Sequence, residues 1–361
     1  MQKRTVSFII AAALLLTGCR SAVGTVTTPT SQPASPTPPP PTAPPTLTPK
    51  TTTATASPTP LTPTPRPPTS PTPASGDVQT PPYGVVYPYN KSDWRETDRQ
   101  AIHAQLSYLK SLGINTVVQI FSSRLIGSGR EQDWLIFLDE AASVKMQVIT
   151  RLWPLSNDEM DYPAIAAFLA VVQEHPAFLA YLGLHEPLER FNSNQLREFY
   201  SQVKHIAPDV PIANYMGTMA WFEKSLRFPN RDFTAGICDL CVVWYYPVRY
   251  RNGQPDFEAD LLRETLRENR ELMTARAPEA HLWVLGQVYA QSAHRRQLRM
   301  STPEEMEQIY TIAMEEGADG FLWYPWFHGN YDEVLGNPAM TAQQQKVREI
   351  YETYVQPGAT P

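Results

Sequence analysis

Short apolar segments alternate with amphipathic segments through the last three-quarters of the chain. The apolar segments, which we predict to be strands, span residues 84–89, 116–121, 147–153, 180–185, 210–216, 240–246, 281–289 and 320–326. Most of them are almost continuously apolar. This pattern is typical of parallel strands that are buried on both faces.

Helical periodicity fills the gaps between these strands. Three apolar stripes recur at the spacing of one helical face: Ile102, Leu106, Leu109 and Leu112; Leu261, Leu262, Thr265, Leu266, Leu272 and Met273; and Met306, Ile309, Tyr310 and Ala313. Thr302 followed by Pro303 and two acidic residues predicts a helix start. Gly113 and Gly317 stand where helices are expected to end.

Eight β-α units within residues 83–356 predict an α/β domain of the (β/α)8 TIM-barrel class. Such barrels carry their functional sites at the carboxyl ends of the strands. A doubly wound sheet is the main alternative. Because no glycine-rich phosphate-binding fingerprint follows the first strand, the sequence gives no support for nucleotide binding.

The first 82 residues have a different composition. Lys3 and Arg4 precede a short apolar run, and Leu16-Thr17-Gly18-Cys19 follows it. This quartet resembles the lipobox of bacterial lipoprotein signal peptides, which implies that residues 1–18 are removed and that Cys19 is lipidated. Residues 20–82 are rich in proline and threonine, and 20 of the 36 prolines lie before Tyr83. We expect a disordered, extended stalk and a domain held at the cell membrane on its extracytoplasmic side.

The net charge of the domain limits its possible partners, and its two cysteines raise the question of a disulfide or metal site. Of 30 basic and 36 acidic residues, five and one lie before Tyr83, which leaves 25 and 35 and a net charge near −10. This balance argues against nucleic acid as a partner. Cys238-Asp239-Leu240-Cys241 has the spacing of a CxxC redox or metal pair, but no second pair or His cluster accompanies it. The pair lies in an apolar run that is typical of a strand, where residues three apart are too distant for a disulfide. We expect two small buried residues there, no metal and no cofactor.

Aromatic and polar residues concentrate where the predicted strands end. The candidate ligand-binding residues are Tyr87, Trp153, His185, Tyr215, Trp244, Tyr246, Gln287, Tyr289, Trp323 and Trp326. The CH faces of a pyranose stack on aromatic rings, and its hydroxyls need fixed hydrogen-bond partners. The composition of these strand ends therefore favours a sugar ligand.

With these motifs in place, the domain resembles a glycoside hydrolase of the clan A barrel type. In that superfamily a Glu after strand four, usually within Asn-Glu-Pro, is the acid/base. A Glu after strand seven is the nucleophile, and a Trp at the end of strand eight forms the floor of the sugar site. The resemblance implies that Glu186, in His185-Glu186-Pro187, is the general acid and that Trp323 or Trp326 is the floor.

The chain departs from the family pattern at two positions. His185 replaces the usual Asn, and Gln287 stands where the nucleophilic Glu is expected. A neutral amide cannot form a glycosyl-enzyme ester. Other carboxylates that could act with Glu186 lie in the predicted loops: Asp93, Asp158, Glu159, Glu189, Asp332 and Glu333. An inverting mechanism with one of these as base and a substrate-assisted mechanism both remain open.

Three functions are therefore compatible with the sequence. The first is a glycosidase that hydrolyses an external glycan with Glu186 as general acid. The second is a non-catalytic barrel that binds glycan at the same place, which Gln287 favours. The third is a solute-binding or envelope-scaffold lipoprotein with another ligand.

Overall fold

The computed structural model describes residues 80–87, 98–153, 160–185, 187–225, 230–292, 297–328 and 331–356, apart from the side chains of Trp153 and His185. The predicted signal peptide, Cys19 and the predicted stalk lie outside these residues, except for Thr80, Pro81 and Pro82. Within the described part of the chain, no helix combines the length and apolar character needed to cross a bilayer.

Strands and helices alternate along the described residues. The strands are β1 (Tyr83–Tyr87), β2 (Thr116–Ser122), β3 (Gln147–Trp153), β4 (Phe178–His185), β5 (Ile212–Tyr215), β6 (Leu240–Trp244), β7 (Val248–Arg251), β8 (Gln254–Phe257), β9 (His281–Gln287), β10 (Tyr289–Ala290), β11 (Gly320–Tyr324) and β12 (Glu333–Val334). The helices are α1 (Arg99–Ser111), α2 (Asp133–Ser143), α3 (Tyr162–Val172), α4 (Pro187–Arg190), α5 (Ser193–Ile206), α6 (Met219–Lys224), α7 (Ala259–Arg276), α8 (Pro303–Glu315) and α9 (Thr341–Ile350).

Eight parallel strands close into a barrel in the order β1-β11-β9-β6-β5-β4-β3-β2. The barrel closes where Tyr83 pairs with Phe321, and the other edge of β1 pairs Gly84 with Thr116. The predicted TIM-barrel fold is therefore confirmed. The seventh and eighth strands of the barrel are β9 and β11.

Alternate residues of each barrel strand face opposite sides and form two apolar layers. The interior of the barrel is filled by Val86, Val118, Ile149, Ala180, Leu182, Ala213, Tyr215, Leu240, Val242, Trp283, Leu285 and Leu322. The residues between them, such as Val85, Val117 and Val284, join the larger core that includes buried residues of the helices. Burial on both faces explains the continuous apolar runs.

The helix ends follow the predicted local chemistry. Thr302 caps α8: its hydroxyl accepts the Glu305 N–H at 3.3 Å, and the Glu305 carboxylate accepts the Thr302 N–H at 2.9 Å. This reciprocal pair is a capping box. Gly113 and Gly317 follow α1 and α8, and both have a φ of +84°, a conformation that favours glycine.

The prediction that Cys238 and Cys241 are too far apart to be bonded is wrong. They form a disulfide with their Cα atoms 5.5 Å apart. Strand β6 begins only at Leu240, so Cys238 lies in the segment that precedes the strand and not within it. Both cysteines are buried, at 5% and 0% exposure.

Two small antiparallel pairings were not predicted from the sequence. Strand β7 pairs with β8 in a hairpin that follows β6, and β10 pairs with β12, which joins the loops that follow β9 and β11. Both follow barrel strands at their carboxyl ends, and they therefore help to form that rim of the barrel.

Candidate functional site

Aromatic rings at and just after the ends of barrel strands meet at the carboxyl end of the barrel. Trp244, the last residue of β6, stacks on Tyr246 with ring centroids 5.0 Å apart and planes 16° apart. Tyr246 is nearly parallel to Tyr324, the last residue of β11, at 6.3 Å and 21°. These three rings bring the ends of β6 and β11 into contact.

A second set of rings lies across the first. Tyr331 stacks on Tyr289 at 4.3 Å and 20°, and on His328 at 3.9 Å and 14°. Tyr289 is perpendicular to Tyr246 and to Tyr324, at 90° and 88°. Stacked and edge-to-face contacts are both favourable ring geometries. We call Trp244, Tyr246, Tyr289, Tyr324, His328 and Tyr331 the aromatic cluster.

The aromatic cluster is half-buried and carries polar atoms. Tyr289 is buried, whereas the other five members are partly exposed. The hydroxyls of Tyr324 and Tyr331 are 3.2 Å apart. Burial raises the pKa of Tyr324 well above its ordinary value and lowers the pKa of His328. At neutral pH the cluster therefore presents uncharged rings with hydroxyl and imidazole hydrogen-bonding groups.

A cation lies deeper in the barrel. Arg151 of β3 is only 3% exposed and is two residues beyond Ile149 on the interior face of its strand. Tyr215 of β5 belongs to the same interior layer. Burial raises the pKa of Tyr215, and the nearby charge of Arg151 acts in the opposite direction. The Tyr215 phenol therefore stays protonated and can donate a hydrogen bond.

The side chain of Gln287, a predicted ligand-binding residue, is hydrogen-bonded to backbone. It is fully buried, and its side-chain oxygen accepts the Val248 N–H at 3.0 Å. Its side-chain nitrogen donates to the carbonyls of Val248 at 2.8 Å and Arg299 at 3.1 Å. The carboxamide is thus engaged at both ends by backbone.

Three further predicted site residues, Tyr87, Trp323 and Trp326, lie in the outer core and not at the barrel interior. Tyr87 contacts Phe137 of α2 with its ring. Trp323 is fully buried and donates its indole N–H to the Tyr83 hydroxyl at 2.8 Å. Because side chains alternate along a strand, β11 directs Leu322 and Tyr324 inward and Trp323 outward. Tyr324, and not Trp323, therefore occupies the interior position at the end of β11, and the role of Trp323 or Trp326 as a sugar floor stays a prediction.

The remaining predicted site residues divide into two groups. Tyr215, Trp244, Tyr246 and Tyr289 are brought together with Tyr324 at the interior and rim. Glu186 and the side chains of Trp153 and His185 lie outside the described residues, so their predicted roles stay predictions.

Of the carboxylates that could act with Glu186, three lie among the described residues and three do not. Asp93, Asp158 and Glu159 lie outside the described residues. Asp332 accepts the Ser292 N–H at 2.7 Å, and this hydrogen bond lowers its pKa. Glu333 is half-buried within β12, and Glu189 is half-buried within α4. No cluster of three or more His, Cys, Asp or Glu side chains suited to a metal occurs in the described part of the chain.

Tyr324, His328, Tyr331 and Arg151 were not among the predicted site residues. Once Ile149 and Leu322 are known to face the barrel interior, alternation places Arg151 and Tyr324 on the same face, two residues further along each strand. Tyr331 and His328 are in a loop, and only the pairing of β10 with β12 indicates where that loop runs.

Comparison with known proteins shows that this chain resembles solved structures in fold alone. No protein-family model matches the chain, and no curated protein matches it. Among solved structures, a GH5_18 variant from Bifidobacterium longum in complex with Manβ1-4GlcNAc has a TM-score of 0.60 at 12% identity, over 75% of this chain and 78% of that one. A GH5_18 variant from Streptomyces cattleya with the same ligand gives 0.55 at 15%, over 78% and 83%. The GH99 endo-α-mannosidase from Bacteroides thetaiotaomicron gives 0.53 at 12%, over 72% and 84%.

The structural neighbours are thus glycoside hydrolases that share the eight-stranded barrel. At these identities the likeness establishes the fold of the chain. The chemistry has to be argued from its own residues.

Proposed function

We propose that this protein is a membrane-anchored, extracytoplasmic, glycosidase-like protein that engages an external glycan at the carboxyl end of its barrel. Hydrolysis uses Glu186 as general acid. The observation that supports this best is the aromatic cluster, in which six rings from the ends of β6, β9 and β11 and their loops meet at the functional rim of a TIM barrel.

The chemistry of the cluster suits a sugar. Tyr246 and Tyr331 are each stacked between two other rings, so the faces left for the CH groups of a pyranose belong to the rings at the ends of the two stacks. Of these end rings, Trp244, Tyr324 and His328 are partly exposed. The hydroxyls of Tyr324 and Tyr331 and the imidazole of His328 supply uncharged hydrogen-bonding groups beside those faces. Fixed polar groups beside mostly apolar surfaces are typical of small-molecule sites.

Glu186 follows directly after His185, the last residue of β4, and strand ends are where barrel enzymes carry their catalytic groups. A general acid must keep its proton near neutral pH, which requires surroundings that disfavour the carboxylate. The buried apolar residues of the barrel interior provide such surroundings for a carboxyl group that faces them. A carboxyl group beside Arg151 would instead have a lowered pKa, because a nearby cation favours ionisation.

A second candidate function is glycan binding without hydrolysis. Gln287 favours it, because the position of the usual nucleophile is occupied by an amide whose donors and acceptor are taken up by backbone. In this case the same rim binds the same class of ligand, and Glu186 contributes only hydrogen bonds.

A substrate panel distinguishes the two functions. Purified protein is tested for binding and for turnover of manno-, β-gluco- and chito-oligosaccharides. Glu186→Gln is the test variant, and Glu264→Gln, at an exposed position of α7, is the matched control. A glycosidase loses turnover in Glu186→Gln and keeps it in Glu264→Gln, while both variants still bind. Binding without turnover by the wild type supports the second function. Turnover that survives in Glu186→Gln removes Glu186 as the acid.

The anchor is proposed from the Leu16-Thr17-Gly18-Cys19 motif. Stable membrane binding needs more than one acyl chain, which the lipoprotein resemblance implies at Cys19. Cell fractionation of a Cys19→Ala variant tests this, and a variant that still sediments with membranes contradicts it.

A further inference from the structure

Gln287 connects three segments at the rim of the barrel. Its strand, β9, directs Trp283 and Leu285 into the barrel, and Gln287 is next in that alternation. Its carboxamide accepts one hydrogen bond from Val248 and donates two, to Val248 and Arg299. The three bonds use both amide protons and one oxygen lone pair, so the group has no proton left for a ligand.

Backbone contacts extend the same connection. The Ser301 hydroxyl donates to the Gln287 carbonyl at 2.6 Å. Residues 297–302 run beside the β7–β8 hairpin, because the Tyr250 N–H donates to Gln297 O at 2.9 Å and Arg249 bridges to Leu298. The end of β9, the hairpin and residues 297–302 therefore form one hydrogen-bonded unit with Gln287 at its centre.

This unit adjoins two members of the aromatic cluster. Tyr246 is two residues before Val248, and Tyr289 is two residues after Gln287. Their rings meet edge to face at 5.2 Å. A shift of the hairpin relative to β9 would change that contact, so the bonds of Gln287 hold the two rings in register.

We propose that Gln287 is a positioning residue that fixes the aromatic cluster for glycan binding, and that it does not contact the glycan itself. The proposal rests on the proposed function, since it assumes that the cluster binds a glycan. It explains why an amide is needed here. A carboxylate could accept the Val248 N–H, but its other oxygen would face the carbonyls of Val248 and Arg299 without a proton to donate.

The charged side chains among the described residues of the packed segments balance one another. Arg249 and Arg251 pair with Asp256 and Glu258, and Arg299 pairs with Glu305 at 2.5 Å. Within this described set, three cations and three carboxylates provide no net positive charge to stabilise a carboxylate at position 287. A carboxyl group introduced there is therefore expected to have a raised pKa, because burial and the facing carbonyls both disfavour its ionised form.

The experiment compares Gln287→Glu with Gln287→Met, a variant of similar length that has no polar group. Two quantities are measured at several pH values from about 5 to about 8. The first is hydrogen exchange of peptides that cover the β7–β8 hairpin and residues 297–302, without ligand. The second is affinity for manno-, β-gluco- and chito-oligosaccharides by calorimetry. Both are expressed relative to wild type at the same pH, and melting temperatures establish that each variant is folded.

The protonated carboxyl group in Gln287→Glu can accept a hydrogen bond from the Val248 N–H and donate one to the carbonyl of Val248 or Arg299. The ionised carboxylate has no proton to donate. We therefore expect near wild-type exchange and affinity at low pH. As pH rises through the raised pKa, exchange of both segments accelerates and affinity falls by about tenfold or more. Gln287→Met should show the faster exchange and weaker binding at every pH. A purely structural loss would not follow the pH in this way.

Several results would overturn the proposal: wild-type exchange in Gln287→Met, an effect of Gln287→Glu that does not vary with pH, or faster exchange with unchanged glycan affinity. Hydrolysis gained in Gln287→Glu would show a nucleophile position instead. The two proposals fail separately. If the wild type binds no glycan but the exchange responses occur, the proposed function fails and the connection through Gln287 stands.

Discussion

Reduction of the disulfide between Cys238 and Cys241 should lower the stability of the barrel by a modest, calculable amount. The bond closes a loop of four residues, from Cys238 to Cys241. The chain-entropy relation for a loop of this size gives about 2 kcal/mol at 25 °C. For a domain of this size, that change corresponds to a melting temperature lower by roughly 3–4 °C.

The disulfide also affects a junction at the start of the barrel strands. Asp239, between the two cysteines, accepts the Ile212 N–H at 2.7 Å and the Tyr200 hydroxyl at 2.6 Å. Its backbone N–H donates to Ile212, and its carbonyl accepts from His281. The bond therefore restrains a segment that joins β5, β9 and α5, and its loss is not confined to an exposed loop.

Calorimetry of the oxidised and reduced protein measures the effect, and Cys238→Ala/Cys241→Ala is the control that should not respond to reductant. Thiol titration in denaturant should find two additional thiols after reduction. A wild type with the same melting temperature in both states, or with no gain of thiols, would refute the reasoning. The disulfide is compatible with the extracytoplasmic location proposed above, since oxidising compartments preserve such bonds.

Two further predictions concern residues that the structure separates. Trp323→Ala should cost about 3–5 kcal/mol of unfolding free energy in denaturant titrations, because Trp323 is a fully buried outer-core side chain. Trp244→Ala should cost less unfolding free energy and should weaken glycan binding in calorimetry by about 1 kcal/mol or more. A larger loss of stability in Trp244→Ala than in Trp323→Ala would contradict the layer assignment. Burial tends to raise the pKa of Asp319, but hydrogen bonds from His281 and the Leu282 N–H lower it overall. A lowered pKa contributes stability above the unfolded-state value, so Asp319→Asn should melt at a lower temperature than wild type at neutral pH, and the difference should close below about pH 4; a difference that persists there would exclude this linkage.

The barrel could be predicted from the sequence because each of its strands is apolar on both faces and each stripe of helical spacing separates two of them. The site could be predicted less completely. Trp323 and Tyr324 are adjacent aromatic residues, and which one faces inward depends on where β11 enters the barrel. The disulfide is missed for a similar reason, since an apolar run does not show that its strand begins after Cys238. The sequence shows Gln287 as a departure from the family pattern, but its partners at Val248 and Arg299 come from distant segments that only the fold brings together.

Gln287 stands where the resembling family has a nucleophilic Glu, and this limits the mechanisms by which the protein could hydrolyse a glycan, wherever the side chain of Glu186 lies. Retention through an enzyme ester needs a carboxylate on the face of the sugar opposite the acid, and the strand-seven position that usually supplies it holds a buried amide bonded to backbone. Two routes remain. A loop carboxylate could activate water at a separation of about 6.5–9.5 Å from Glu186, which inverts the anomeric centre, or an acetamido group of the substrate could attack internally, which retains it. The anomeric form of the first product, followed by NMR, therefore distinguishes the routes: inversion requires a loop carboxylate as base, and retention confined to N-acetylated substrates requires the substrate itself.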